Sequence, residues 1–306
     1  MNTVNLGSSP LRVSRLAYGC WRIGAAAERR ADDKRAILAA FESGYTLFDH
    51  ADIYGRGESE RIFGEVLREH PDLRSQALII SKAGVRRADD PPGSPYHYNL
   101  SGEHLVRSCE GSLQRLGVET LDVFLVHRAD WLADPADVAA AFNRLQESGK
   151  ARFFGLSNCR PSLARAVQAA CPMPLVAHQV EISLAQLAAF TDGTLDQCLE
   201  ARMTPMAWSP LGGGQLADGS RRLLKSQEGY HTERILPLLD DLARAHGMTR
   251  SAVALAWLLR HPSGIIPVIG STDPQRIRQV TRAAEVELSR EDWYRLLNAA
   301  RGESLP

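Results

Sequence analysis

Short apolar runs alternate with helix-period segments from residue 15 almost to the end of this 306-residue chain, and no other feature constrains its fold as strongly. Residues 15–19 read as a strand, and residues 32–43 as a helix with Ile37, Ala40 and Phe41 on one face and Gly44 as its stop. Residues 46–49 form the next strand and 58–69 the next helix, followed by a strand over 78–82. Ser101 caps a helix whose Leu105, Cys109, Leu113 and Leu116 share one stripe, and Gly117 ends it. The run 121–127 has an unbroken Val-Phe-Leu-Val centre, which suits a strand buried on both faces. Asp134 and Pro135 open a helix as cap and first turn, with Val138, Phe142 and Leu145 inward and Gly149 as terminator. Residues 152–156, 175–180, 203–208 and 264–269 supply four more strands, with helices over 161–170, 194–201, 250–260 and 273–283.

Eight strands joined by crossover helices predict a parallel (β/α)8 TIM barrel formed by a single domain over residues 1–306, because right-handed crossovers keep adding strands in one rotational sense. The competing arrangement is an open doubly wound sheet, but no Gly-x-Gly-x-x-Gly follows the first strand. Decorations are expected: an N-terminal hairpin over 3–13, long loops over 85–99 and 209–230, and extra helices over 231–246 and 289–300. Lys plus Arg equals Asp plus Glu at 36 each, so no basic footprint points to nucleic acid or an anionic membrane. The apolar runs are far too short to span a bilayer. The start lacks the build of a signal peptide, and the five cysteines (Cys20, Cys109, Cys159, Cys171 and Cys198) form no C-x-x-C pair, so a reduced, cytoplasmic location is expected without disulfides or a metal.

Catalytic groups of such barrels sit where strands end and βα loops begin. The first strand ends in Gly19, Cys20 and Trp21; the second in Asp49, with Tyr54 shortly after. The third ends in Lys82, the fourth in His127 and Arg128, and the fifth in Ser157 and Asn158. The sixth carries Gln179 and Glu181. The seventh ends in Trp208, Ser209, Pro210 and Leu211, then Gly212, Gly213 and Gly214; the eighth in Gly270, Ser271 and Thr272. Singly, each has a plain structural reading: Asp49 and Lys82 as a buried ion pair, His127 as a core histidine, the glycines as a hinge. Together they converge on one predicted rim.

Those segments also carry a resemblance. GYTLFDHADIYG over 44–55, IISKAG around Lys82, LVHR around His127, GKARFFGLSN up to Asn158 and WSPLGGG from Trp208 are similar, in order, to the motifs of the aldo-keto reductase superfamily. The spelling HADIYG, with QVEIS and MAWSPLGGG, resembles its YdhF-like bacterial branch. The resemblance implies an NADP(H)-dependent oxidoreductase reducing aldehyde or ketone carbonyls to alcohols. Tyr54 would be the general acid, Lys82 its neighbour, Asp49 the partner of Lys82, and His127 the group orienting the carbonyl. A neighbouring ammonium is expected to lower the pKa of the phenol, and Asp49 to keep the ammonium charged. Ser157, Asn158 and Gln179 would hold the carboxamide of the nicotinamide, and Trp208 would stack on its ring. Gly19, Cys20, Trp21, Asp49, Ser209, Pro210, Leu211, Gly212, Gly214, Gly270, Ser271, Thr272, Arg276 and Gln279 complete the expected cofactor surface, with Trp21, Tyr54, His127 and Arg128 facing a small-molecule carbonyl substrate. His50 departs from the Ser or Thr common after this aspartate in the wider family.

Gly270-Ser271-Thr272-Asp273-Pro274 reads as strand end, cap and first helical turn, where unpaired N–H groups would receive an anion. Arg276 in that turn opposes the helix dipole unless a phosphate joins it, and the resemblance puts the 2′-phosphate of NADP there. The plain alternative is an Asp273–Arg276 pair at i, i+3 spacing. Two rival functions stay open: a Schiff-base lyase using Lys82 and a non-catalytic nicotinamide-binding sensor or subunit; a metal hydrolase using His50, Asp52, His127 and Glu181 lacks a convincing ligand spacing. A monomer is expected.

Overall fold

A computed structural model describes residues 1–218 and 224–305. Part of the loop expected over 209–230, at positions 219–223, lies outside them. Eight parallel strands close into a barrel: β1 Ala17–Gly19, β2 Leu47–Asp49, β3 Leu78–Ala83, β4 Leu121–Val126, β5 Ala151–Ser157, β6 Leu175–Glu181, β7 Thr204–Trp208 and β8 Ile266–Ile269. Closure runs from β8 to β1, where Val268 pairs with Ala17 and Ile269 with Tyr18. Every sequence-derived strand is present, trimmed or extended by one or two residues at its ends, where ladder bonds give way to loops.

The ring of helices follows the same chemistry. α1 is Arg30–Glu42, α2 Glu58–Glu69, α3 Gly102–Leu116, α4 Pro135–Glu147, α5 Pro161–Ala170 and α6 Thr194–Ala201. α7 Ile235–His246, α8 Arg250–Leu259, α9 Pro274–Gln279 and α10 Arg290–Arg301 complete the described set. The Ser101 hydroxyl accepts from the His104 N–H at the start of α3, and the Asp134 carboxylate accepts from the Ala136 N–H at the start of α4. The helix expected over 273–283 is shorter: α9 stops at Gln279 and a 3-10 turn, Val280–Glu285, continues it. The expected 85–99 loop contains a small ribbon, with Val85–Arg86 antiparallel to His97–Tyr98.

The N-terminal hairpin, Thr3–Asn5 with Arg12–Ser14, plugs the end of the barrel opposite the loops described below. Its Leu6, Leu11 and Val13 join Leu47, Ile80, Val123, Leu125, Val176 and Met206 in the inner core. Gly7 makes this docking possible. At φ 55° it donates its N–H to Thr204 Oγ1 at 2.7 Å, and a Cβ there would stand 2.3 Å from the Val176 carbonyl oxygen. A second, larger layer of apolar side chains lies between strands and helices, where Phe41, Phe48, Phe63, Phe124, Phe142 and Phe154 are all buried. With one end sealed and both faces of the strands covered, the free C-terminal ends of the strands are where polar groups gather.

Candidate active site

β2 and β3 each deliver a charged group to the open end, and the two meet. Lys82 Nζ lies 2.7 Å from Asp49 Oδ1, with Lys82 fully buried and Asp49 nearly so. The ammonium also donates to the His50 carbonyl at 2.6 Å, and Gln179 Nε2 donates to the same Asp49 oxygen at 2.9 Å from across the barrel. Tyr54 reaches this pair from a tight 3-10 turn, Tyr54–Gly57, in which Gly55 and Arg56 have φ of 56° and 59°. A side chain at Gly55 would bring a Cβ to 2.6 Å from the Gly24 carbonyl oxygen, so a small residue there lets the turn seat against the β1 loop. Lys82 Nζ stands 5.1 Å from the Tyr54 ring centroid, close enough for its charge to act on the phenol. His127, following β4, sets its ring edge-on to Tyr54 at 5.7 Å between centroids.

Burial dominates the electrostatics here. It pulls the Lys82 ammonium toward neutrality, but Asp49 and then Tyr54 outweigh it, and the pKa of the amine is raised. For Tyr54 the outcome runs against the expectation that the ammonium would win. Burial raises the phenol's pKa, the opposing pull of Lys82 is smaller, and Asp49 adds to the rise. His127 is held well below the ordinary imidazole value by burial and then by Lys82 and Arg128, so it is a neutral ring. Its Nδ1 is buried without a hydrogen-bond partner. His50 is pushed down to about 3 by burial and Lys82. Its ring packs against Phe63 at 4.6 Å and its Nδ1 stands 3.4 Å from Ser59 Oγ, away from the cavity, so it serves the pair through its carbonyl alone.

A cavity of about 510 Å³ opens over this group and runs to the β8 loop. Along its wall, Asn158 sits at φ 54° and Ser209 at φ 46°, two non-glycine residues in the left-handed region at the ends of β5 and β7. Such strain persists only where surrounding structure holds it. Here Asn158 Nδ2 donates to the His127 carbonyl at 3.1 Å and to Ser157 Oγ at 2.8 Å, while Trp208 Nε1 donates to Asn158 Oδ1 at 2.9 Å.

Most of the sequence-derived surface lines this cavity: Gly19, Trp21, Asp49, Tyr54, His127, Arg128, Asn158, Gln179, Trp208, Ser209, Pro210, Leu211, Gly214, Gly270, Ser271, Thr272, Arg276 and Gln279. Four expected residues do not. Cys20 is fully buried, and burial drives its thiol pKa well up. Ser157 is buried behind Asn158 as its acceptor, Gly212 stands behind Gly213 and Gly214, and Lys82 lies beneath the floor. Sequence reasoning missed other members of the wall: Ile53, Arg22, Arg29, Thr249 and Ser251. The two arginines clasp the β8 loop, Arg22 Nη1 donating to the Gly270 carbonyl at 2.8 Å and Arg29 Nη2 to Thr272 Oγ1 at 3.2 Å. Arg22, next to Trp21 at the first strand end, was findable by position; Arg29 is 243 residues from its partner and gave no signal.

At the β8 loop the expected free N–H groups are already taken. The Asp273 carboxylate accepts from Gln275 N at 2.8 Å and Arg276 N at 3.4 Å, and α9 is only six residues long. Its side chain also pairs with Arg276 Nε at 3.5 Å. An anion at this point would therefore meet side chains (Ser271, Thr272, Arg29 and Arg276) rather than the helix start itself.

A closed eight-stranded barrel with an Asp–Lys–Tyr–His group at its mouth defines a class of oxidoreductase, and the comparisons agree. The profile of the Aldo/keto reductase family matches residues 15–300. The chain belongs to that family. It is 37% identical over 307 residues to a 6-dehydroglucose reductase of Novosphingobium aromaticivorans, covering 98% of this chain and 96% of that one. It is 36% identical over 297 residues to the oxidoreductase YdhF of Escherichia coli, covering 96% and 95%. The crystal structure of the thermostable aldo-keto reductase Tm1743 with the inhibitor epalrestat shares the fold at a TM-score of 0.83 and 24% identity, covering 98% of this chain and all of that one.

Proposed function

We propose that this chain is an NADP(H)-dependent reductase of aldehyde or ketone carbonyls in which Tyr54 delivers the proton. The observation that carries the reading is the buried Asp49–Lys82 pair beneath a phenol that lines the cavity. A bound nicotinamide would supply the hydride. The cavity suits such a cofactor by the chemistry of its two ends: an acid–base group at one, and Ser271, Thr272, Arg29 and Arg276 at the other, a donor set fit for a phosphate.

Tyr54 would hold its proton on the phenol oxygen and release it to the carbonyl oxygen. Its raised pKa keeps the acid form populated through neutrality, and the charged Lys82 favours the phenolate left behind. Asp49 keeps Lys82 charged, and Gln179 fixes the Asp49 oxygen. Neutral His127 would orient the carbonyl, and Asn158 and Gln179 the carboxamide, with Trp208 offering a stacking face. Ser157 and Cys20 would act from behind the wall.

The lyase reading is disfavoured by the state of Lys82: a fully buried ammonium with a raised pKa is a poor amine nucleophile. No helix among the described residues is long and apolar enough to cross a membrane. A small-molecule substrate, a cytoplasmic location and a monomer are parts of the same proposal. Two relatives at 37% and 36% identity are 6-dehydroglucose reductases, which puts sugar aldehydes on the list of substrates to try. The test is NADPH consumption against aldehydes, ketones and quinones, with Tyr54→Phe as control. Tight NADPH binding without turnover of any of them would replace this reading with that of a nicotinamide sensor.

A further inference from the structure

Among the described residues, four arginines line the cavity: Arg22, Arg29, Arg128 and Arg276. Three are engaged, with the Gly270 carbonyl, Thr272 and Asp273 respectively. Arg128 differs. Among the described residues it makes no hydrogen bond or ion pair, and its guanidinium lies over the Trp208 ring, 5.6 Å from the centroid. A cation–π contact of this kind leaves the N–H donors of the guanidinium uncommitted.

The position matters as much as the lack of a partner. Arg128 follows His127, and its charge is felt by the Tyr54 phenol, by His127 and by Tyr96, whose side chain lies on the same wall. Glu181, a carboxylate that senses it, is tied to Gln227, and Asp130, two residues on, accepts from the Leu100 and Leu132 N–H groups; neither is part of the cavity lining. The negative charge of Asp49 is already matched by Lys82. Among the described residues, the substrate end of the cavity therefore carries one positive charge with no carboxylate paired to it, held over an aromatic ring. A planar fork of donors beside a proton donor fits a substrate with a second, anionic group.

We propose that Arg128 selects carbonyl substrates bearing a carboxylate or another oxyanion, gripping that group while Tyr54 faces the carbonyl. The inference rests on the carbonyl-reductase reading above and names its substrate class. It differs from recognition of a neutral polyol, which would need acceptors as well as donors around the ligand hydroxyls.

The experiment compares kcat/KM for 4-carboxybenzaldehyde and its methyl ester with NADPH, in the unmodified enzyme and in Arg128→Met. Propanal and glyceraldehyde form a second pair. The acid-to-ester ratio is expected to exceed about 10 in the unmodified enzyme and to fall to near one in Arg128→Met, since charge-assisted contacts of this kind typically carry one to two decades. A ratio near one in the unmodified enzyme, a preference that survives Arg128→Met, or a dependence on Arg128 confined to the glyceraldehyde pair would overturn the proposal. Benzoate and benzamide titrations, followed by tryptophan fluorescence, keep the test independent of turnover. If no carbonyl is reduced, the reductase reading fails. Benzoate binding that is lost in Arg128→Met would still support the anion site, and equal binding of benzoate and benzamide, or none, would dismiss it.

Discussion

Lys82 Nζ sits 2.7 Å from Asp49 Oδ1 and 2.6 Å from the His50 carbonyl, so two of its three protons are committed beneath the cavity floor. Its charge also acts on the Tyr54 phenol, whose ring centroid lies 5.1 Å away. A group built this way keeps its charge and its direction without relying on solvent.

Replacing Tyr54 with Phe removes the proton donor and leaves the wall in place. NADPH binding should stay within a few-fold, while carbonyl reduction falls by more than roughly 10²-fold. Because burial raises the Tyr54 pKa, kcat/KM of the unmodified enzyme should hold through neutrality, its alkaline limb lying above the ordinary tyrosine value of about 10. A variant within a few-fold of the unmodified enzyme in steady-state assays would assign the proton to another group.

The β8 loop should discriminate between the two nicotinamide cofactors. NADPH is expected to bind about 10- to 100-fold tighter than NADH, as a charge-assisted contact to one phosphate allows. Arg276→Ala should erase most of that difference and Arg29→Ala a further part, as read by fluorescence titration of both cofactors. Equal affinities in the unmodified protein would remove the phosphate from this loop.

A second buried ion pair lies away from the cavity. Fully buried Glu60 on α2 accepts from Arg115 Nε on α3 at 2.6 Å and from Ser81 Oγ on β3 at 2.6 Å. Arg115→Met should strand the carboxylate and cost about 3 kcal/mol, the low end for such losses because Arg115 is partly exposed. Urea denaturation would measure it, and adding Glu60→Gln should recover part of the loss. An Arg115→Met protein as stable as the unmodified one would reduce the pair to a surface contact.

Acid should weaken the fold through its buried histidines. Burial lowers His50 to about 3 and both His104 and His178 to about 4, below the ordinary 6.5. The unfolded chain takes up these protons below about 6.5 and the folded chain does not, so the stability is complete above that pH and is lost as pH falls toward 4. Replacing His178, which is fully buried on β6 outside the catalytic group, with Leu should flatten this limb by up to one proton, about 1.4 kcal/mol per pH unit. Stability curves at several pH values would show it; an unchanged slope would mean that His178 does not titrate with unfolding.

Much of the architecture was legible in order along the chain. Ser101 and Asp134 announced their helices through local hydrogen bonding, and the Val-Phe-Leu-Val run announced a doubly covered strand. These are interactions over a few residues, which local composition encodes. At the β8 loop the same local order has a second effect: Asp273 caps the helix by accepting from the Gln275 and Arg276 N–H groups, so the donors left for the expected anion are side chains.

By itself, then, the amino-acid order determined the strand-and-helix alternation, the caps, and which chemical groups stand at each strand end. Only the tertiary structure decided that Gln179 holds Asp49 from 130 positions away, that Arg29 reaches Thr272, that Arg128 lies over Trp208 without a hydrogen bond or ion pair among the described residues, and that the Tyr54 pKa rises rather than falls. Periodicity and capping act within a turn or two of chain. Desolvation and charge pairing depend on distances and burial that exist only after the barrel closes.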